Sequence, residues 1–395
     1  MIYLDNGATT YPKPACVYDA VDQYQRHHAV NAGRGAYQEA RAATEMIHQV
    51  KTDLLSLVDG RGACEVALAP SVTVMLNQIL GGQPWQEGQY AYVSPYEHNA
   101  VLRPLELIRQ KKGIKVLTLP LAEDLSIDLA QTEALFQEHP PALVAVTAVS
   151  NVTGYVLPAR EIFDLAKAHG AFTLLDGAQA VGLLPLRFPS LRADALTFAG
   201  HKTLYATFGI AGAYLRNGVN LEPFLAGGNG IRSEDSAMPK TLPEKLECGS
   251  MDTPAIAGLA ASLQWLRTVN PWQIEAELMA YLLSRLSEVP GITLYRAPGG
   301  PENQAGVVSL NLEGFRANEV AAILDHDAQI AVRAGHHCAG LIHQPLQNQV
   351  YDGTVRISLG VFNTREDVDI LVDALKAIDR ETLKGIDASV LRGNC

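Results

Sequence analysis

Phe172-Thr173-Leu174-Leu175-Asp176-Gly177-Ala178-Gln179 and, after a short connection, Ala195-Leu196-Thr197-Phe198-Ala199-Gly200-His201-Lys202 decide how this chain is read. Each is a brief apolar run that breaks off into chemically capable polar groups. Runs too short for a helix, and lacking the alternation of a half-exposed strand, read as strands buried on both faces. Similar runs at 65–69, 90–94, 116–119 and 143–149 repeat the pattern, while periodic segments at 100–111 and 159–169 have the length of crossover helices. The expected fold is α/β, with a large, mainly parallel sheet covered on both sides. In such sheets ligands collect beyond the carboxyl ends of the strands, where Asp176 and Lys202 fall.

Downstream of about Met251 the pattern changes to a helical stretch at 254–269, strands near 307–312, 330–333 and 355–359, and helices near 317–324 and 365–378. This reads as a second, smaller α/β unit. The expected division is a large domain at 15–255 and a small domain made of 1–14 and 256–395. A Gly-rich loop at 227–230 leads into a polar stretch reaching Lys245. Neither repeats nor low-complexity tracts interrupt the chain.

A length of 395 residues with 48% hydrophobic and 18% charged residues suits a folded globular protein rather than a disordered one. The formal net charge of −11 argues against nucleic acid as a main partner, although a local basic patch can still hold a phosphate. The amino terminus has no basic region ahead of an apolar run, and no segment approaches the roughly 18 apolar residues of a membrane span. A cytoplasmic protein without membrane contact is expected. Cys16, Cys64, Cys248, Cys338 and Cys395 are scattered singly, a spacing that supports neither a disulfide framework nor a metal site.

An acid at a strand end, as at Asp176, can hold a pyridine nitrogen protonated, which turns a pyridoxal ring into an electron sink. Alone it could equally cap a helix. A lysine just beyond the next buried strand, as at Lys202, can form a reversible imine and then shuttle a proton.

In these features the chain resembles the class V branch of fold-type I pyridoxal-phosphate (PLP) enzymes, specifically the cysteine desulfurases and selenocysteine lyases. The resemblance begins at Tyr3-Leu4-Asp5-Asn6-Gly7-Ala8-Thr9-Thr10 and runs through Glu97-His98-Asn99-Ala100, Ser150-Asn151-Val152-Thr153-Gly154, Asp176-Gly177-Ala178-Gln179 and Gly200-His201-Lys202. It ends at Arg333-Ala334-Gly335-His336-His337-Cys338-Ala339. It implies a PLP-dependent transferase fold of type I, with a large sheet of the seven-stranded type and a smaller α/β domain.

The resemblance also implies roles. Lys202 would carry pyridoxal 5'-phosphate as an imine, Asp176 would pair with the ring nitrogen and His98 would stack on the ring. Asn151 and Gln179 would hydrogen-bond the ring's 3'-oxygen. Val72 and Thr73, at the start of an apolar helix, would offer amides and a hydroxyl to the phosphate, joined by His201 and by Ser250 from a second subunit. That arrangement implies a homodimer with a shared active site. Arg356 would grip the substrate carboxylate through its planar fork, with Asn151 and, more weakly, Arg34 and Arg333 in the same pocket. Two departures stand out: Ala199 replaces the family's usual hydroxyl residue, and Pro70-Ser71-Val72 replaces a small-residue turn, so one phosphate contact is expected to be missing and PLP retention to be weaker.

Cys338 separates the reactions. Transamination, racemisation and decarboxylation need no thiol, whereas sulfur transfer does. The expected activity is conversion of L-cysteine to L-alanine with a persulfide formed on Cys338, handed on to a sulfur-acceptor protein. His336 and His337 flank the thiol, and either imidazole could assist it. The alternatives are a selenocysteine lyase acting on L-selenocysteine, a PLP C–S lyase or aminotransferase that merely retains the cysteine, and a non-enzymatic scaffold.

Overall fold

The structure is a computed structural model describing residues 1–33, 35–230 and 234–386. Its larger sheet has seven strands in the order Cys64–Ala69, Ala211–Arg216, Ala195–Ala199, Phe172–Asp176, Pro141–Thr147, Tyr90–Val93 and Lys115–Thr118. Ala211–Arg216 runs antiparallel to both of its neighbours, and every other pairing is parallel. Cys64–Ala69 therefore points the same way as the other five parallel strands, so its carboxyl end opens on the same edge as Asp176 and Ala199.

The apolar runs are unbroken because both faces of the sheet are covered. Val144, Val146, Leu175 and Leu196 pack with Val50, Leu54, Ile162, Phe163 and Ile256 on one side. Leu143, Ala145, Leu174 and Ala195 pack with Met75, Leu76, Ile79, Val101 and Leu105 on the other. Alternate side chains of one strand thus feed two cores, as a pleat requires.

The smaller unit has a four-stranded sheet in the order Arg333–Gly335, Thr354–Ser358, Val307–Leu312 and Ile292–Tyr295. Leu278 and Leu282, Val320, and Leu371 bring the helices Pro271–Leu286, Ala317–Ala328 and Arg365–Lys376 onto it. The strand read at 330–333 divides: Ile330–Ala331 pairs with Ile2–Tyr3, and Arg333–Gly335 pairs with Thr354–Ser358. This pairing ties the amino terminus to the smaller unit, where Leu4 joins the core. Helix Thr253–Leu266 begins at the expected domain division and buries Ile256, Leu259 and Leu263 in the larger unit's core. No described helix is long and apolar enough to cross a membrane.

Candidate active site

Thr147 and Asp176 lie side by side at the carboxyl ends of adjacent strands, and Thr197 lies beside Asp176 on the next. Asp176 is buried, and its Oδ1 accepts from the Thr197 hydroxyl at 3.1 Å and the Ala178 amide at 3.0 Å. Those bonds fix the carboxylate plane, and among the described residues nothing donates to Oδ2. The acid read from the sequence as either a ring partner or a cap thus spends one oxygen on its own turn and keeps the other.

His98 caps the helix Asn99–Lys112, its Nδ1 accepting from the Ala100 amide at 3.0 Å. That bond sets the ring's orientation and leaves its proton on Nε2. Burial, assisted by the Lys202 charge, pushes the imidazole down to about 4, so the ring is neutral at pH 7. Burial also pushes the Lys202 amine down to about 8, with Arg356 and Arg333 adding to the effect and Asp176 opposing it. Its electrostatic neighbours therefore include Asp176, Arg356, Arg333 and Cys338. The lysine remains partly accessible. Gly200 explains how the chain turns so tightly beside it, since a Cβ there would meet the Ile210 carbonyl oxygen at 2.6 Å.

Cys338 is exposed on a turn in which Gly335, His337 and Cys338 all have positive φ, of 107°, 52° and 56°. Two consecutive non-glycine residues in this region cost on the order of 1 kcal/mol or more each, so the surroundings must hold them. They do. The Cys338 carbonyl accepts from the Asn99 amide at 2.6 Å, and the His337 carbonyl accepts from Asn151 Nδ2 at 2.7 Å. The His337 ring is buried with Nε2 against Thr354, 3.1 Å from its carbonyl and 2.9 Å from its hydroxyl. Burial and the Arg356 charge hold this imidazole far below its ordinary basicity. His336 is exposed, packs edge-on against His343, and has its carbonyl 3.1 Å from His343 Nε2. The two histidines are therefore not equivalent, and only His336 has its ring in solvent with the thiol.

Arg356 is 2% exposed in the strand Thr354–Ser358. Its Nη2 pairs with Asp5 Oδ1 at 2.6 Å, its Nη1 donates to the Asn151 carbonyl at 3.2 Å, and its Nε is buried without a partner. Arg333 pairs with the other oxygen of Asp5 at 3.1 Å. Both arginines thus converge on one carboxylate, a partnership that the sequence reading did not assign. Gln179 donates to the Gly7 carbonyl at 2.7 Å, so it and Asn151 each retain one amide hydrogen for a ligand. Val72 and Thr73 open the helix Val72–Gly81, with Ser71 capping it through Val74 at 3.3 Å. The first-turn amides there have no intrahelical partner. His201 stacks on the exposed ring of Phe208 at 4.4 Å, and its buried Nδ1 has no partner. Ser250 is exposed beside a surface cavity lined by His48, Lys51, Glu247 and Met251. Arg34 lies outside the described residues.

Sequence reasoning quoted Glu97 without giving it a role. The carboxyl is fully buried, and its Oε1 accepts from Ser94 and the Thr147 amide, both at 2.5 Å. Burial, with a contribution from Asp176, raises it to about 8. Its position before His98 and beside a strand end was the available signal.

This donor set fits a phosphorylated pyridine aldehyde: a carboxylate oxygen left free for a ring N–H, a neutral imidazole of fixed orientation, an amine of lowered basicity, and an unpartnered ring nitrogen on His201. The family model for class V aminotransferases matches residues 2–371. A cysteine desulfurase of Pectobacterium atrosepticum is 34% identical over 96% of this chain and 93% of its own. One of Shigella sonnei is 35% identical over 96% and 94%. The apo structure of a cysteine desulfurase from Thermococcus onnurineus NA1 superposes with a TM-score of 0.87 at 30% identity, covering 98% of this chain and 95% of that one. The S-sulfonic acid form of an Escherichia coli cysteine desulfurase does so at 0.82 and 27%, again covering 98% and 95%. Sequence, fold and site agree, and the chain belongs to the class V aminotransferase family, among relatives that are cysteine desulfurases.

Proposed function

We propose that this protein is a PLP-dependent cysteine desulfurase in which Lys202, Asp176 and His98 serve the cofactor and Cys338 receives the sulfur. The observation that carries the reading is the convergence of Lys202, Asp176 and Cys338, with the cysteine turn bonded to the residue after His98. When bound, the cofactor supplies a positively charged ring that makes the substrate's α-proton acidic. Lys202 Nζ takes that proton, a task suited to an amine whose basicity lies near pH 8. Asp176 Oδ2 would be the acceptor for the ring N–H, while Oδ1 stays on Thr197 and Ala178. His98 offers a flat neutral face, worth about 1 kcal/mol in stacking. Arg356 and Arg333 draw the substrate carboxylate toward the positive end of the site, where Asp5 now lies.

Cys338 Sγ then attacks the substrate sulfur: an S–S bond forms, the substrate's Cβ–S bond breaks, and L-cysteine plus thiol becomes L-alanine plus Cys338 persulfide. His336 is the imidazole exposed beside this thiol. Ser250 completes the phosphate site from a second subunit in a homodimer, and an acceptor protein clears the persulfide. The free cysteines of the described chain suit a reducing cytoplasm. The names of the relatives favour sulfur over selenium as the substrate element.

Incubation of wild type and Cys338→Ser with cysteine and with selenocysteine, reading alanine and chalcogenide together, tests this. With a thiol reductant present to discharge the persulfide, wild type should release alanine and sulfide in equal amounts from cysteine, and the variant neither. Pyruvate and ammonia as products would point to a C–S lyase instead, and full activity of the variant on selenocysteine alone to a lyase for that substrate.

A further inference from the structure

Lys13 is 8% exposed, ahead of the helix Ala15–His27. Its Nζ donates to the His201 carbonyl at 2.7 Å, the Thr10 hydroxyl at 2.8 Å and the Thr9 hydroxyl at 3.2 Å. All are neutral oxygens, and among the described residues no carboxylate pairs with this amine. Thr9 and Thr10 themselves bond the carbonyls of His201 and Lys202 at 2.8 and 3.1 Å. A buried ammonium without a counter-ion is costly and is normally paired. Here burial drives the amine down to about 7. The fold thus seats this amine directly behind His201, where it is about half protonated near pH 7 and where a neighbouring anion would draw it into its charged form.

The His201 ring itself is neutral. Burial and then the Lys202 and Lys13 charges push it down to about 3, and its Nδ1 lies buried and unpartnered. The other groups assigned above to the phosphate are helix amides and hydroxyls, likewise uncharged. A phosphate monoester carries about −1.5 to −2 at pH 7, so neutral donors alone leave much of its charge unbalanced.

We infer that Lys13 is the buried counter-charge for the cofactor's phosphate, a positioning and specificity residue that makes the site prefer phosphorylated over unphosphorylated pyridoxal. It acts through space and through the His201 carbonyl. The inference rests on the PLP reading above and adds to it a residue outside the groups that contact the cofactor.

The test uses apoprotein titrated separately with pyridoxal 5'-phosphate and with pyridoxal, following the visible absorbance and the borohydride-trapped mass on Lys202. Lys13→Gln keeps a hydrogen-bonding group and removes the charge; it should weaken PLP binding about tenfold or more while leaving pyridoxal within about twofold. Lys13→Arg should retain the preference. Equal weakening of both aldehydes would make Lys13 a mechanical brace and overturn the inference, as would unchanged PLP binding. Should Lys13→Gln fail to fold, Lys13→Arg decides: loss of the preference with the charge kept refutes it. If wild type traps neither aldehyde on Lys202, the parent reading fails, and this inference with it.

Discussion

The Asn99 amide donates to the Cys338 carbonyl at 2.6 Å, so the helix that His98 caps also holds the turn carrying the thiol. Asn99→Pro should remove that bond with little harm to the helix. Proline is tolerated at the first helical position, and His98, at φ −75° and ψ 152°, already has the extended backbone that a following proline demands. The expected outcome is a drop in alanine formation of about tenfold, with thermal stability changed by less than about 1 kcal/mol. Unaltered kinetics in a correctly folded variant would show that the anchor does not govern the thiol's reach.

Cys338→Ser should lose alanine formation from cysteine by at least about a hundredfold, because a hydroxyl cannot take the sulfur. The side chain is exposed, so the denaturation midpoint should correspond to a change within about 0.5 kcal/mol. Stoichiometric persulfide on the wild-type cysteine, read by mass spectrometry, is the companion measurement.

Asp176→Asn keeps an oxygen for the Thr197 hydroxyl and the Ala178 amide, and so preserves the turn. It removes the negative charge that would hold a ring nitrogen protonated. Turnover should fall by about a hundredfold with a shifted visible band, while the melting curve stays near wild type. A variant that unfolds would mean the carboxylate's main work is structural.

Glu275, 5% exposed and 3.5 Å from the Tyr205 hydroxyl, is raised by burial from 4.5 to about 8. The folded chain therefore holds a proton that the unfolded chain releases above 4.5. Its stabilisation is whole below that pH and is lost as pH rises through about 8. Between pH 5 and 8, wild type should lose on the order of 1 to 3 kcal/mol relative to Glu275→Gln in denaturant titrations. Parallel stability curves for the two proteins would contradict this.

How much of this was legible depends on the distance over which each feature is encoded. Runs at 143–149 and 195–199 announced their strands because both faces are buried, and Pro141–Thr147 and Ala195–Ala199 are what formed. Ala211–Arg216 escaped notice: it is short and contains Gly212, which the sheet needs because a Cβ there would meet the Ala67 carbonyl oxygen at 2.3 Å. Gln38–Leu57 and Pro271–Leu286 were also missed, being helices whose polar faces dilute the apolar pattern. The proposed roles of Asp176 and Lys202 came from local motifs at strand ends, and that of His98 from the family resemblance. The Asp5–Arg356 pair and the Asn151–His337 bond join residues 351 and 186 positions apart, and local patterning carries no trace of such contacts.

The turn that presents the thiol is fastened by main-chain carbonyls, those of His337 and Cys338, to Asn151 and Asn99. Nothing in that fastening depends on what side chain stands at 338. The position behaves as an interchangeable socket: alanine, serine or a selenol could be installed there on the same trajectory, whereas β-branched residues would resist the left-handed backbone. Reactivity at this point can therefore be rewritten without redesigning the architecture around it.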